Sequence, residues 1–382
     1  MIKVLTAHTY ELDDSEKAVQ EILGQINPQN SLLKNSAAML FCHINFIEMG
    51  IMEKVCKSLP FDVVGCTSLY FATSNTEGDI MLTVTVLTSD DTEFAAGVCD
   101  PLTAENAEDA INAMYQKTAS SLSGAPSLAF AFPPTLFHLT IDIMTAALDK
   151  ACGGVPVFGT VALDIGAHIR NPKTIYRGTA YADCMVLLLF KGPVKPHFIF
   201  RRFPEADSLT QDAVITRANG PEIISINNEP AASFLQEFGL IQSSFSQAIP
   251  LVIADSDGNN QEVVVVQKIT DEGTLICGRH VSVGGILNIG AATADYVLES
   301  ARALIRELKK DETLFSIIIS CFLRTIVLGG AAAETSLIRE GLGNSPGGYL
   351  YLNSGGELCP RYAKSGETVN QALQYAVVAC QL

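Results

Sequence analysis

Side chains able to do chemistry are most densely grouped in the C-terminal part of the chain. Ser320-Cys321-Phe322-Leu323-Arg324 places a thiol and a guanidinium at the end of the apolar run Ile317 to Ile319, and Glu334 follows at the start of a helical stretch. Ser354-Gly355-Gly356-Glu357 reads as a turn after the strand-like Tyr349-Leu350-Tyr351-Leu352, and Asn370-Gln371 opens the last strand region. An arginine grips a carboxylate with two parallel hydrogen bonds, a glutamate receives an ammonium, and an amide orients both. Arg324, Glu357 and Asn370 at converging strand ends therefore suit a small zwitterion such as an amino acid. The same residues admit a second reading, an Arg–Glu pair that ties the last strands together. Cys321 as a nucleophile needs an activating base, and no histidine lies in its segment. Otherwise it is a small buried side chain.

Other chemistries find less support. The chain has no G-x-x-x-x-G-K-[ST], H-E-x-x-H or G-x-S-x-G motif, and no G-x-G-x-x-G opens a helix after a strand. Asp255-Ser256-Asp257-Gly258-Asn259 has the look of a calcium loop, but its sixth position is Asn260 and its twelfth Val266, so a hairpin turn is expected. His8, His43, His138, His168, His197 and His280 include no pair at i, i+3 or i+4, so no local metal site is expected. His43 and His138 do fall at comparable places in two similar segments, which leaves haem ligation open as a secondary reading, with no cofactor expected.

The elements that must position these residues follow from periodicity. Strands are expected at Ile2–Ala7, Ser36–Cys42, Asp79–Ser89, Thr92–Asp100, Ser127–Phe132, Val155–Ala162, Cys184–Lys191 and Lys195–Arg202. Helices are expected at Ser15–Ile26, capped by Asp14 or Ser15, near Phe46–Ser58, from Thr103, and at Leu136–Lys150. Leu40-Phe41-Cys42, a helix and Val63-Val64-Gly65-Cys66-Thr67 make one strand–helix–strand unit. Phe130-Ala131-Phe132, a helix and Pro156-Val157-Phe158-Gly159-Thr160 make a second. A looser third copy runs from Ile317–Cys321 through Gly330–Leu342 to Tyr351, and then Tyr375–Cys380. Repeated units of this kind predict an α/β protein in the α+β style, with mixed or mostly antiparallel sheets covered by helices. The two long strands 79–89 and 92–100 read as a hairpin. A boundary is placed at Gly220-Pro221, giving domains 1–220 and 221–382. Beyond it lie strands at Ile249–Ala254 and Val263–Ile269, then a helix with Ala294, Val297, Leu298, Ala301, Leu304, Ile305 and Leu308 on one face, read as core.

Composition narrows the partners. The 382 residues hold 25 basic and 41 acidic side chains, a formal net charge of −16, with no basic, aromatic-interleaved stripe. Nucleic acid and anionic membrane surfaces are therefore unexpected partners. No signal-peptide pattern and no apolar run of membrane-spanning length is read, and the ten cysteines lack C-x-x-C pairs, so a reducing, cytoplasmic setting is expected.

The ordered set Ser320-Cys321, Arg324, Glu334, Gly348-Tyr349, Gly356-Glu357 and Asn370 resembles the signature of the C-terminal FIST domain. Val155 to Ala162 with Asp164, Thr174-Ile175-Tyr176 and Ala182 to Val186 resemble the N-terminal FIST domain, as does Val64-Gly65-Cys66-Thr67-Ser68. The resemblance spans roughly residues 30 to 375. It departs from the signature at Phe322-Leu323, where a small residue precedes the arginine, and at Gly159-Thr160, where paired glycines stand. The resemblance implies a sensory, signal-transducing protein that binds a small ligand such as an amino acid and signals through a separate output protein. The ligand set it implies is Arg324, Glu357, Asn370, Cys321, Glu334, Gly159 and Gly65. A haem-binding sensor of nitric oxide, a cysteine- or carboxylate-dependent enzyme and a scaffold protein are the alternatives.

Overall fold

The computed structural model describes residues 2–136, 138–164, 171–202, 213–240, 250–254, 261–290, 292–363 and 366–382. One unit occurs three times. The first copy runs β1 (Lys3–Thr9), α1 (Ser15–Ile26), β2 (Asn35–Cys42), α2 (Ile51–Ser58), β3 (Asp62–Thr67), a hairpin of β4 (Phe71–Thr73) and β5 (Glu77–Gly78), and β6 (Leu82–Ser89). The second runs β7 (Glu93–Val98), α3 (Ala107–Ala119), β8 (Leu128–Phe132), α4 (Ile141–Cys152), β9 (Val157–Thr160), the hairpin β10 (Thr174–Tyr176) and β11 (Thr179–Tyr181), and β12 (Val186–Lys191). The third opens with β13 (His197–Arg201). An insertion follows: β14 (Ala213–Asn219), β15 (Glu222–Ile226), β16 (Glu229–Pro230), β17 (Pro250–Ala254), β18 (Gln261–Ile269), β19 (Leu275–Cys277) and β20 (Ile286–Ile289). It then resumes with α5 (Ala294–Leu308), β21 (Ser316–Cys321), α6 (Phe322–Val327), α7 (Ala332–Leu342), β22 (Tyr349–Ser354), the hairpin β23 (Glu357–Tyr362) and β24 (Thr368–Leu373), and β25 (Val377–Gln381).

Local chemistry accounts for the element ends. Asp14 caps α1 by accepting the amides of Glu16 and Lys17, and Asn27, at φ 48°, stops it ahead of Pro28. The helix expected over 46–58 is broken in two, because Gly50 takes φ 70° and ends the first turn before α2 begins. Most of the expected apolar stripe of α5 is core, with Val297, Ala301, Leu304, Ile305 and Leu308 buried, whereas Leu298 is half-buried and Ala294, in the first turn, is exposed.

Each copy builds the same sheet. Its parallel pairs are β2–β3, β8–β9 and β21–β22, and the last strand of each copy runs antiparallel between the first and second. The hairpins are exchanged in a ring. β10–β11 extends the first sheet through β3, β23–β24 extends the second through β9, and β4–β5 extends the third through β22. The hairpin expected between strands 79–89 and 92–100 is corrected here: β6 pairs with β1 and β2, whereas β7 pairs with β12 in the next sheet. The short link between them carries the chain from one copy to the next.

The inner faces of the three sheets share one core, which brings Phe41 of the first copy against Phe132 of the second, edge to face at 5.6 Å, alongside Ile317, Leu352 and Val378 of the third. The outer faces are covered by their own helices, α1 and α2, α3 and α4, or α5 and α7. Strands such as β2 are thus apolar on both sides, and their side chains do not alternate. The insertion is a separate antiparallel sheet whose first strand pairs with both β20 and β15, closing a small barrel filled by Ile215, Leu251, Val266 and Leu287. Gly220-Pro221 is the turn of the β14–β15 hairpin in that barrel. The loop 255–260, read as a hairpin turn, lies outside the described residues, and the strands flanking it pair antiparallel.

Candidate ligand-binding site

The carboxyl ends of the three parallel strand pairs converge. Just past β3, the Ser68 hydroxyl donates to the Asn353 carbonyl of β22 at 2.6 Å, and the Thr67 carbonyl accepts the Leu163 amide at 2.9 Å. Thr160 at the end of β9 donates to the Ser354 hydroxyl at 2.8 Å, and the Val161 amide donates to Gly356 O at 2.9 Å. Carboxyl ends of parallel strands are where α/β folds open their ligand crevices, because the chain must leave the sheet there.

A cavity of about 90 Å³ lies at this convergence. Its walls come from Thr135 of the second copy, Leu163, Asp164 and Pro172 after β9, and Cys321, Phe322 and Leu323 where β21 turns into α6. Ser354 and Gly355 at the end of β22, Gln374 before β25, and Val265 and Gln267 of the barrel complete it. The barrel is held over the cavity by the Val265 amide, which donates to Gln374 Oε1 at 2.9 Å. Next to Gln374, buried Tyr375 has φ 59°, a conformation costly for a bulky side chain and fixed here by the packing around it. The following Ala376 carbonyl accepts the Cys321 amide at 2.9 Å.

Cys321 lines the cavity. Burial and then the charge of Glu357 push its thiol well above the ordinary range, which leaves it protonated and weakly nucleophilic at neutral pH. Glu357 lies behind Cys321 and Ser354, completely buried. Burial raises its carboxyl well above the ordinary range; the Ala376 amide, Arg324, Cys321 and Ser354 pull the other way. Neither Glu357 oxygen completes a hydrogen bond among the described residues.

Arg324 does not reach the cavity, and its expected role as a carboxylate clamp is corrected. Its Nη2 lies 2.5 Å from Glu334 Oε1, its Nε donates to the same oxygen at 3.1 Å, and further bonds go to Val297 O and Ser300 Oγ on α5, each at 2.9 Å. Glu334 is completed by the Ser320 hydroxyl at 2.7 Å and the Tyr351 hydroxyl at 3.1 Å. Of the two readings of this pair, the internal tie is the one the structure forms.

Asn370 is likewise a clamp between elements. It accepts the Val157 amide at 2.7 Å and donates to Asp149 Oδ1 at 2.7 Å and Val155 O at 3.0 Å, fastening β24 to α4 and β9. Gly65 and Gly159 stand at equivalent positions, and a Cβ on either would lie 1.8 or 1.9 Å from the carbonyl oxygen of Leu40 or Ala131. They let adjacent strands meet, and neither lines the cavity. His43 Nδ1 accepts the Asn45 amide at 3.3 Å and His138 Nε2 faces Leu102 O at 3.3 Å, and neither lines the cavity. His168 lies outside the described residues. No group of three or more His, Cys, Asp or Glu side chains is placed to hold a metal among the described residues.

Sequence reasoning did not single out Ser354, Thr135, Gln267 and Gln374 as wall residues, and took Asp164 only as part of a motif. Asp164 is buried and accepts the Asn171 amide at 3.0 Å. Its position directly after the Gly159–Ala162 turn is the one signal that marked it.

Fold and cavity define the class: an α/β protein of three interlocked units with a small, partly open site where the strand ends of the second and third meet the barrel. The chain belongs to the FIST family, since the FIST N domain matches residues 36–229 and the FIST C domain residues 228–360. FIST domains are associated with sensory, signal-transducing binding of small ligands. Among solved structures, a cyanuric acid hydrolase described as an evolutionary innovation by structural concatenation aligns over 66% of this chain and 80% of its own, with 8% identity and a TM-score of 0.30. Cyanuric acid hydrolase from A. caulinodans aligns over 100% of this chain and 98% of its own, with 9% identity and a TM-score of 0.40. No curated protein matches the chain. No helix among the described residues is long and apolar enough to cross a membrane.

Proposed function

We propose that this protein is a sensor that binds a small polar ligand in the cavity among the strand ends of the second and third units and the barrel. The carrying observation is that cavity, walled by two of the repeated units and by an inserted domain joined to it through the Val265–Gln374 bond. A ligand seated there touches several elements at once, so occupancy changes how the barrel sits against the body, and a separate output protein reads that change. The protonated state of the Cys321 thiol favours binding over nucleophilic catalysis. Ten free, buried cysteines favour a reducing, cytoplasmic setting.

The test is a thermal-shift screen of the full chain against amino acids, small carboxylates, small amines and haem, repeated on Leu323→Trp, which fills the cavity. A saturable rise in Tm that Leu323→Trp abolishes supports the reading, with about 2.7 kcal/mol of stabilisation at a hundredfold excess over Kd. A ligand whose shift survives the filled cavity, or a screen with no shift at all, overturns it. A shift with haem alone moves the site to the histidines.

A further inference from the structure

The hydrogen-bonding groups of the cavity are unevenly satisfied. The Thr135 hydroxyl is spent on Ala162 O at 2.5 Å. The Ser354 hydroxyl donates to Gly356 O at 2.5 Å while accepting from Thr160 and from the Gly356 amide at 3.0 Å. Gln374 Oε1 is taken by the barrel. Asp164 differs. Only 3% exposed, it lies in the wall with Oδ2 on one backbone amide and with no bond to Oδ1 among the described residues. Behind the floor, the wholly buried Glu357 carboxyl completes no hydrogen bond on either oxygen among the described residues, and burial favours its neutral form, so it supplies no charge to the cavity. Among the described residues the wall contains no lysine, arginine or histidine, and the nearby guanidinium of Arg324 is committed to Glu334.

A carboxylate in a buried residue without a full set of donors is costly, and a ligand donor that reaches its free oxygen offsets that cost. Taking the cavity as the ligand site proposed above, we infer that its ligand is a small organic cation bearing a primary ammonium, held by Asp164, and not a carboxylate or a zwitterion. An ammonium supplies three N–H donors and the missing positive charge. Leu163, Val265, Phe322 and Leu323 cover a short carbon skeleton. Among the described residues the wall offers a ligand carboxylate no positive charge, and Asp164 repels it. The narrow cavity, about 90 Å³, favours a small ligand.

Calorimetric titration of the full chain with ethanolamine, glycinamide, glycine and acetate tests this. Glycinamide and glycine differ in whether the far end carries a negative charge. The expected result is saturable binding of ethanolamine or glycinamide at least tenfold tighter than glycine or acetate, weakened tenfold or more in Asp164→Asn. The comparison among ligands is made on the unaltered chain and holds whether or not the variant folds. Tighter binding of acetate or glycine overturns the ammonium while leaving the cavity as the ligand site. Amine binding that folded Asp164→Asn leaves unchanged overturns it as well. Failure of both amines to bind overturns it too, and the Leu323→Trp screen then decides the ligand-site reading separately.

Discussion

Arg324 on the short helix α6 and Glu334 on α7 form an ion pair that is almost fully enclosed, with the guanidinium 3% and the carboxylate 0% exposed. The carboxylate also takes the Ser320 and Tyr351 hydroxyls, so the pair ties β21, β22, α6 and α7 to the α5 backbone. Such a pair is expensive to assemble and more expensive to break, since removing one charge strands the other in a dry interior. Arg324→Ala or Glu334→Ala is therefore expected to lower unfolding free energy by about 3–5 kcal/mol. Urea unfolding of both singles and of Arg324→Met/Glu334→Leu checks it. The double variant should be less damaged than either single; equal losses in all three would mean the pair is not the source.

Glu357 makes stability depend on pH in an unusual direction. Its carboxyl is held above the ordinary value of 4.5 by burial, so the folded chain keeps a proton that the unfolded chain gives up. The stability this group contributes is complete below 4.5 and is lost as pH rises through the raised folded value. Glu357→Gln cannot ionise, so its Tm should gain on that of the parent as pH rises from 4 to 8. Parallel Tm curves over that range would refute the assignment.

Gly159→Ala should be among the most damaging single-methyl additions to this chain. The new Cβ would sit 1.9 Å from Ala131 O, a backbone atom that cannot yield without breaking the β8–β9 pairing. A loss of about 3 kcal/mol or more is expected. Gly24→Ala, whose Cβ meets nothing within 4 Å, is the control, and thermal melts compare the two.

Asn370→Ala removes a side chain that serves Val157, Asp149 and Val155 at once. The buried Val157 amide would be left without its acceptor, at a cost of about 2–3 kcal/mol. Because the clamp lies away from the cavity walls, ligand affinity in the folded variant should equal that of the parent. A selective loss of binding at unchanged Tm would return Asn370 to the site.

The thiols should be silent in the native state. All ten cysteines are free and buried, and burial raises those of Cys42, Cys66, Cys321, Cys359 and Cys380 in particular. Ellman's reagent at pH 8 is expected to titrate few or none before denaturation and ten afterwards. Rapid reaction of one native thiol, mapped to Cys321, would point back to the cysteine-dependent enzyme.

Local patterns in the chain were enough to specify the elements and the repetition. Asp14 before Ser15–Ile26, the stripe on Ala294–Leu308 and the paired runs ending at Thr67 and Thr160 are decided by neighbours within a few residues, so capping and periodicity report them. Gly50, by contrast, divides an apolar-periodic stretch that looks like one helix, because its left-handed backbone is chosen by how the chain must turn. The third unit was only faintly visible, since the barrel interrupts it between β13 and α5. Strand partners were not visible at all. The ring of exchanged hairpins joins residues more than a hundred positions apart, such as Thr67 with Lys173 and Ser68 with Asn353, and no local period records such contacts.

The site divides in the same way. Residue types alone marked Cys321, Arg324, Glu334 and Glu357 as a cluster, and an Arg and a Glu ten residues apart are equally able to grip a ligand or each other. Tertiary packing decided between these by laying α5 across the guanidinium and turning it to Glu334. It also brought Asp164, Gln374 and Val265, which lie far apart in the chain, to one cavity. Sequence by itself determined which groups exist and which elements carry them. Only the closing of three sheets on a shared core, driven by burial of their inner faces, determined which groups are spent on each other and which remain to meet a ligand.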